Sequence, residues 1–233
     1  MISKYIFTLY YLKYKSHLFI FFLFIFSPSL AAEYEHPGYA PWVGSTLTGL
    51  RCNGKAQAYG PYDYTNHLHN SKRPVVEKHH FNKNVENLIK GQTSHVTDDL
   101  DYTLRAIPNH HRALLSAIRY QIRVNKKFER KALAPPVECY LQRAINFSPK
   151  DPTVLALYAY YLRKAGKLSE AEVKYQRALK ISPDSAKILY SYSLLLIDLK
   201  KNDLALIYAK KAYQNGRPPI NLKNKLMKLK VWK

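Results

Sequence analysis

Acidic residues are scarce: 16 Asp and Glu stand against 37 Lys and Arg in 233 residues, a formal charge of +21. Such a bias raises the local concentration of any polyanion or acidic partner, or simply makes a solvated basic surface. Cysteine is scarcer still. Cys52 and Cys139 are the only two, and their separation excludes a CxxC redox motif and a paired-cysteine zinc site. No HExxH, no GxSxG elbow and no phosphate-cradling glycine loop is present. The chain therefore carries no catalytic signature, and we expect no enzyme and no cofactor. The uninterrupted apolar run Leu18 to Phe26 is nine residues, well short of the roughly 20 a spanning helix needs.

That run has a context. Lys4, Lys13 and Lys15 precede it and Ser27-Pro28-Ser29-Leu30-Ala31-Ala32 follows, the order of an export signal over residues 1–32 with cleavage after Ala31 or Ala32. The alternative is an uncleaved anchor, because Ile6 to Tyr14 adds apolar surface. No cysteine follows the cleavage point, which argues against a lipoprotein anchor. Beyond residue 32, 34 Lys and Arg face 16 Asp and Glu, leaving +18. Two cysteines in an exported chain most simply form one disulfide, here across 87 residues; the competing reading makes Cys139 a small buried helix residue.

Proline punctuates the rest. Pro149 and Pro183 stand 34 residues apart, and between them Leu155, Tyr158, Ala159, Leu162, Gly166, Ala171, Tyr175 and Ala178 place large, small and turn residues as two packed helices need. Adding 34 gives Leu189, Tyr192, Ser193, Leu196, Ala205, Ala209 and Ala212, with Lys200 in place of the turn glycine. This skeleton resembles the tetratricopeptide repeat (TPR), whose helix pairs recur at that period. It implies an all-α helix-turn-helix solenoid. Asp151-Pro152 reads as an N-cap with proline at the first helical position, and Ser169 with Glu172 as a capping box.

Upstream, Pro108 and Pro149 are 41 residues apart, and the extra length falls in the 125–136 connection, where Lys126, Lys127, Arg130 and Pro135-Pro136 disfavour continuous helix. A degenerate repeat precedes it: a helix over Asn82 to Lys90 with Val85, Leu88 and Ile89 on one face, and a second over Asp98 to Ile107 introduced by Thr97. The expected organisation is an export segment at 1–32, an irregular Gly/Pro/Tyr/His-rich segment at 33–81, and repeats over 82–217 (82–108, 111–149, 152–185, 186–217). A basic terminal helix follows at 218–233. Its Leu222, Leu226 and Leu229 suit a solenoid cap; its lysines equally suit a basic amphipathic helix on an anionic membrane.

Gly60-Pro61-Tyr62-Asp63-Tyr64, Asp99-Leu100-Asp101-Tyr102-Thr103-Leu104-Arg105-Ala106 and Pro108-Asn109-His110-His111-Arg112-Ala113-Leu114 together resemble a group of bacterial TPR proteins over about residues 52–215. The resemblance implies the TPR fold and an exported bacterial setting, periplasmic or secreted, and brings no established activity or catalytic residue. Tyrosines in the irregular segment offer flat apolar faces that can wrap along the helices. His67, His69, His79, His80, His95, His110 and His111 lie near Asp98, Asp99 and Asp101, yet no ligand spacing on one helix face appears, so no metal is expected.

In a TPR solenoid the first helix of each repeat lines the concave groove. The register places Arg112, Arg119 and Arg123 there in one repeat, Tyr160, Arg163 and Lys164 in the next, and Lys187, Tyr190 and Leu194 in the third. The chaperone carboxylate clamp of the family is not reproduced, since Leu115, Arg119, Leu157 and Ser191 depart from it and only Lys187 remains. The expected function is an exported adaptor that binds an envelope protein or peptide of acidic character in a basic, aromatic groove. The alternative is electrostatic attachment to an anionic envelope polymer or lipid surface; nucleic acid enters only through DNA uptake.

Overall fold

Ten α-helices follow one another along the described part of the chain, in the order α1 Arg73–His80, α2 Lys83–Glu86, α3 Val96–Ala106, α4 His111–Lys127, α5 Val137–Phe147, α6 Pro152–Lys164, α7 Leu168–Ile181, α8 Ala186–Asp198, α9 Asn202–Gln214 and α10 Asn221–Lys228. This is a computed structural model that describes residues 38–127 and 132–232, with the backbone alone for 125–127. The expected export segment, Arg130 of the 125–136 connection and Lys233 lie outside the described residues.

The fold is an all-α solenoid of hairpins. Helices α6 and α7 pack on each other, as do α8 and α9, and the second helix of each pair also meets the first helix of the next. The first helices α4, α6, α8 and α10 touch in succession and form one layer. Small residues sit at the crossings: Ala159, Ala171, Ala178, Ser193, Ala205, Ala209 and Ala212 are all fully buried. A larger side chain at any of them would separate the helices.

Local signals explain several helix starts and stops. Asp151 Oδ1 accepts from the amides of Thr153 and Val154 with Pro152 in the first turn of α6. The α6–α7 turn uses Gly166 at φ +79°, and the α8–α9 turn uses Lys200 at φ +63°. The expected capping box does not form. Helix α7 starts at Leu168, before Ser169, with Lys167 as a cap residue that offers no side-chain bond, and Glu172 instead accepts from Lys201 Nζ at 2.7 Å.

The upstream region departs further from expectation. The segment expected to be irregular through residue 81 contains a two-turn helix, α1, started by Pro74. The expected helix over Asn82 to Lys90 is a single turn, α2, because Leu88 takes a left-handed φ of 60° and turns Ile89 out to 70% exposure. Helix α3 is capped by His95, whose Nδ1 accepts from the Thr97 amide, rather than by Thr97.

Residues 38–66 have no helix; Ala40 to Cys52 lie along α5, and Ala56 to Tyr64 run past the end of α3 to Asn109. Cys52 and Cys139 are bonded, with Cα atoms 5.4 Å apart across 87 residues. Gln142 Nε2 donates to the Ser45 carbonyl at 2.7 Å, and Glu138 Oε1 accepts from the Leu47 amide at 3.0 Å. Trp42 packs edge-on against Tyr140, ring centres 5.2 Å apart. At the far end Leu222 and Leu226 of α10 are buried against α8 and α9, closing the solenoid.

Candidate functional site

The first-helix layer holds a cavity of about 340 Å³ that bridges three helices. Leu115 enters from α4; Thr153, Ala156, Leu157 and Tyr160 from α6; Lys187, Ile188 and Ser191 from α8, with Ser185 just before it. Repeat geometry explains the set, because Thr153 and Lys187, and Leu157 and Ser191, are one 34-residue period apart. The floor is aliphatic, and hydroxyls with one ammonium surround it. Such a site suits a segment that inserts apolar side chains and satisfies its polar atoms at the edge. A second cavity of about 490 Å³ adjoins, where Lys187, Tyr190 and Ser191 face Arg217, Pro218 and Pro219. Tyr190 Oη donates to Asn221 Oδ1 at 2.7 Å, fixing its ring between α8 and α10.

The expected groove residues divide by their partners. Tyr160, Lys187 and Tyr190 line the two cavities. Arg119 and Lys187 are exposed and make no ion pair among the described residues. Lys164 sits over the Tyr160 ring at 5.7 Å, and Leu194 packs half-buried against the core. Three arginines are engaged within the chain. Arg112 makes a two-pronged pair with Glu86, at 2.7 and 2.6 Å; these bonds hold the Glu86 carboxyl at about 2 and raise the guanidinium further. Arg163 Nε lies 2.6 Å from Asp198 Oδ2. Burial pushes Asp198 up, but Arg163 and Lys225 outweigh it and leave its carboxyl below the ordinary value. Arg123 packs over Tyr120 and donates to the Leu88 carbonyl. Of the expected groove cations Lys187 alone lines the cavities; Arg119 and Lys164 line neither.

The register overlooked the floor. Leu115, Leu157 and Ser191 enter the sequence reading only as departures from a carboxylate clamp, and Ala156 and Ile188 not at all. For Ala156, Leu157 and Ser191 the signal is their place three or four residues after Thr153 and Lys187 on the same helix face; Leu115 and Ile188 have none of that kind.

A second concentration of polar groups gathers the residues that carry the bacterial resemblance. Buried Asp63 accepts through Oδ1 from Thr65 and from Asn109 Nδ2 at 2.7 Å. Asn109 also donates to Asp151 Oδ2 at 3.2 Å and accepts from the Tyr64 amide. His111 Nε2 meets the same Asp151 oxygen at 2.7 Å. His110, fully enclosed, bonds Glu77 at 3.0 Å; its Nδ1 accepts from the Ala113 amide, so Nε2 is the N–H that donates to Glu77, and burial lowers the basicity of the ring. Gly60 brings the backbone so close to the Ala106 carbonyl that a side chain there would collide with it, and the Tyr62 amide donates to that carbonyl at 2.9 Å. The cluster ties the 60–69 segment to the starts of α4 and α6. His80 likewise pairs with Asp99 at 3.0 Å. These histidines are spent on single carboxylates of neighbouring elements.

The sequence matches the family model described as tetratricopeptide repeat over residues 99–224. No curated protein matches it. Similar solved structures include a point mutant of MamA, at 18% identity and TM-score 0.36, covering 53% of this chain and 85% of that one. Two crystal forms of MamA AMB-1 follow at 21% identity, with TM-scores of 0.37 and 0.36, covering 52% and 51% of this chain and 67% and 61% of those.

Proposed function

The chain belongs to the tetratricopeptide-repeat family, and from that premise we propose that it is a non-catalytic adaptor of the bacterial envelope that holds an extended segment of a partner protein on its first-helix layer. The observation that carries this reading is the aliphatic cavity spanning α4, α6 and α8, edged by Tyr160, Lys187 and Ser191. A partner segment would place one or two apolar side chains against Leu115, Leu157 and Ile188 and an acidic group near Lys187. Export supplies the compartment: the Lys-rich start and the apolar run Leu18 to Phe26 suit the secretion machinery. The partner is accordingly an envelope protein or peptide with acidic character.

Crosslinking and pull-down from the native envelope test this directly. Leu157→Ser and Lys187→Glu should each reduce capture of the partner by about tenfold; the melting temperature should stay unchanged for the exposed Lys187 and fall modestly for Leu157, which is half-buried against the core. Capture should weaken only modestly as salt rises, because the floor is apolar. A partner retained undiminished by both variants, or a ligand whose binding vanishes with salt alone, would replace the adaptor by a diffuse polyanion binder.

A further inference from the structure

The terminal helix carries two distinct surfaces. Leu222 and Leu226 are fully buried and cap the solenoid. The opposite side is not used for packing: Ile220 is 60% exposed and Met227, seven residues on and therefore on the same side after two turns, is 50% exposed. Leu229, just past the helix, is 42% exposed. Along this stretch of sequence the charge has a single sign. From Leu204 to Lys233 there are eight Lys and Arg and no Asp or Glu. Lys225 reaches back to Asp198 at 3.6 Å and Lys223 lies over the Trp232 ring at 5.5 Å. Arg217, Lys228 and Lys230 make no ion pair among the described residues. Trp232 in turn stands edge-on to Tyr213 at 5.5 Å.

We propose that this outer side of α10, with Ile220 and Met227 set among Lys223, Lys228 and Lys230, is a docking surface for an anionic lipid bilayer. Acidic headgroups supply the charge complement, and the acyl boundary receives the apolar side chains. A soluble polyanion would neutralise the cations equally well but would gain nothing from Ile220 and Met227, which is why the bilayer is the better fit. None of Ile220, Lys223, Met227, Lys228 and Lys230 lines either groove cavity, so a peptide held by Leu157 and a membrane held by α10 do not compete for Leu157 or for Met227. An adaptor so attached presents its groove at the membrane face.

The test is co-sedimentation of the full chain with phosphatidylcholine vesicles containing about one-third phosphatidylglycerol, read as the excess over pure phosphatidylcholine. That difference takes the apolar run near the N-terminus out of the comparison. Lys228→Glu with Lys230→Glu should lower the excess about tenfold, whereas the same charge change at Lys167→Glu with Lys180→Glu, on the α6–α7 hairpin, should lower it about twofold or less. Ile220→Ser with Met227→Ser should cost about threefold, and this loss should persist at high salt, where charge is screened. Melting temperatures check folding, and Gln versions replace any Glu variant that melts early. Equal loss from both charge-reversed pairs, no effect of Ile220→Ser with Met227→Ser, or no preference of the wild type for acidic vesicles would each overturn the proposal. Leu157→Ser should leave vesicle binding unchanged, so failure of the groove reading and failure of this one give different results.

Discussion

Gly166 and Lys200, one repeat apart, occupy the same left-handed turn, at φ +79° and +63°. The backbone bonds around them are also one period apart. The amides of Gly166 and Lys167 donate to Arg163 and Leu162, and those of Lys200 and Lys201 donate to Ile197 and Leu196. Lysine pays a steric penalty there that glycine does not. Lys200→Gly should therefore raise stability by about 0.5–1 kcal/mol in chemical denaturation. Gly166→Ala should lower it by about 1 kcal/mol, although nothing lies within 4 Å of the added carbon. A null result for both would show that the turn is set by the helices and not by its own residues.

The disulfide closes an 87-residue loop and fastens the 38–66 segment to α5. Reduction, or Cys52→Ser with Cys139→Ala, should lower stability by about 2–4 kcal/mol. The segment should then become protease-sensitive ahead of the hairpins α6–α7 and α8–α9, which do not depend on it. Limited proteolysis followed by mass spectrometry reads the order of cleavage.

Arg143 should prove a costly position despite touching no groove. Its guanidinium is 1% exposed and donates to the carbonyls of Ala40 at 2.8 Å and Leu104 at 2.7 Å and to Gln57 Oε1 at 2.6 Å. Burial lowers its pKa to about 10, so it stays charged at neutral pH. Arg143→Met keeps most of the volume but leaves these acceptors unpaired, and should cost about 2–4 kcal/mol in urea unfolding. A change below about 0.5 kcal/mol would mean that water takes its place.

Acid should unfold the upstream end first. Glu86 is held at about 2 by Arg112 and Lys83 against an ordinary 4.5, so the folded state binds its proton less readily than the unfolded chain. The stabilisation is present above pH 4.5 and is lost as pH falls toward 2. Glu77 is also depressed, chiefly by its bond from His110, and acts in the same direction. Glu86→Gln should remove about 1–2 kcal/mol at neutral pH and flatten the stability curve between about pH 4.5 and 2. An unchanged acid limb in the variant would place the titrating groups elsewhere, Asp99 and Asp198 being the alternatives.

The sequence by itself determined the repeat. A 34-residue period in Leu155, Tyr158, Ala159 and Leu162 is legible because every hairpin buries the same positions against its neighbour, so local pattern and tertiary packing ask for the same residues. It also carried the Asp151-Pro152 helix start, whose bonds run only two and three residues ahead. The tertiary structure decided what depends on partners far along the chain. Arg163 reads as a groove cation until Asp198, 35 residues away on α8, is found at 2.6 Å. Ser169 and Glu172 read as a cap until the turn at Gly166 starts α7 early and Lys201 takes Glu172. Leu88 reads as helical until its backbone turns left-handed and leaves α2 at one turn. Residues 38–66 have no period to read, because their course is set by α5, through Cys139, Gln142 and Arg143, and then by Arg105, Ala106 and Asn109, and a groove shared by three helices has no local signature in any one of them.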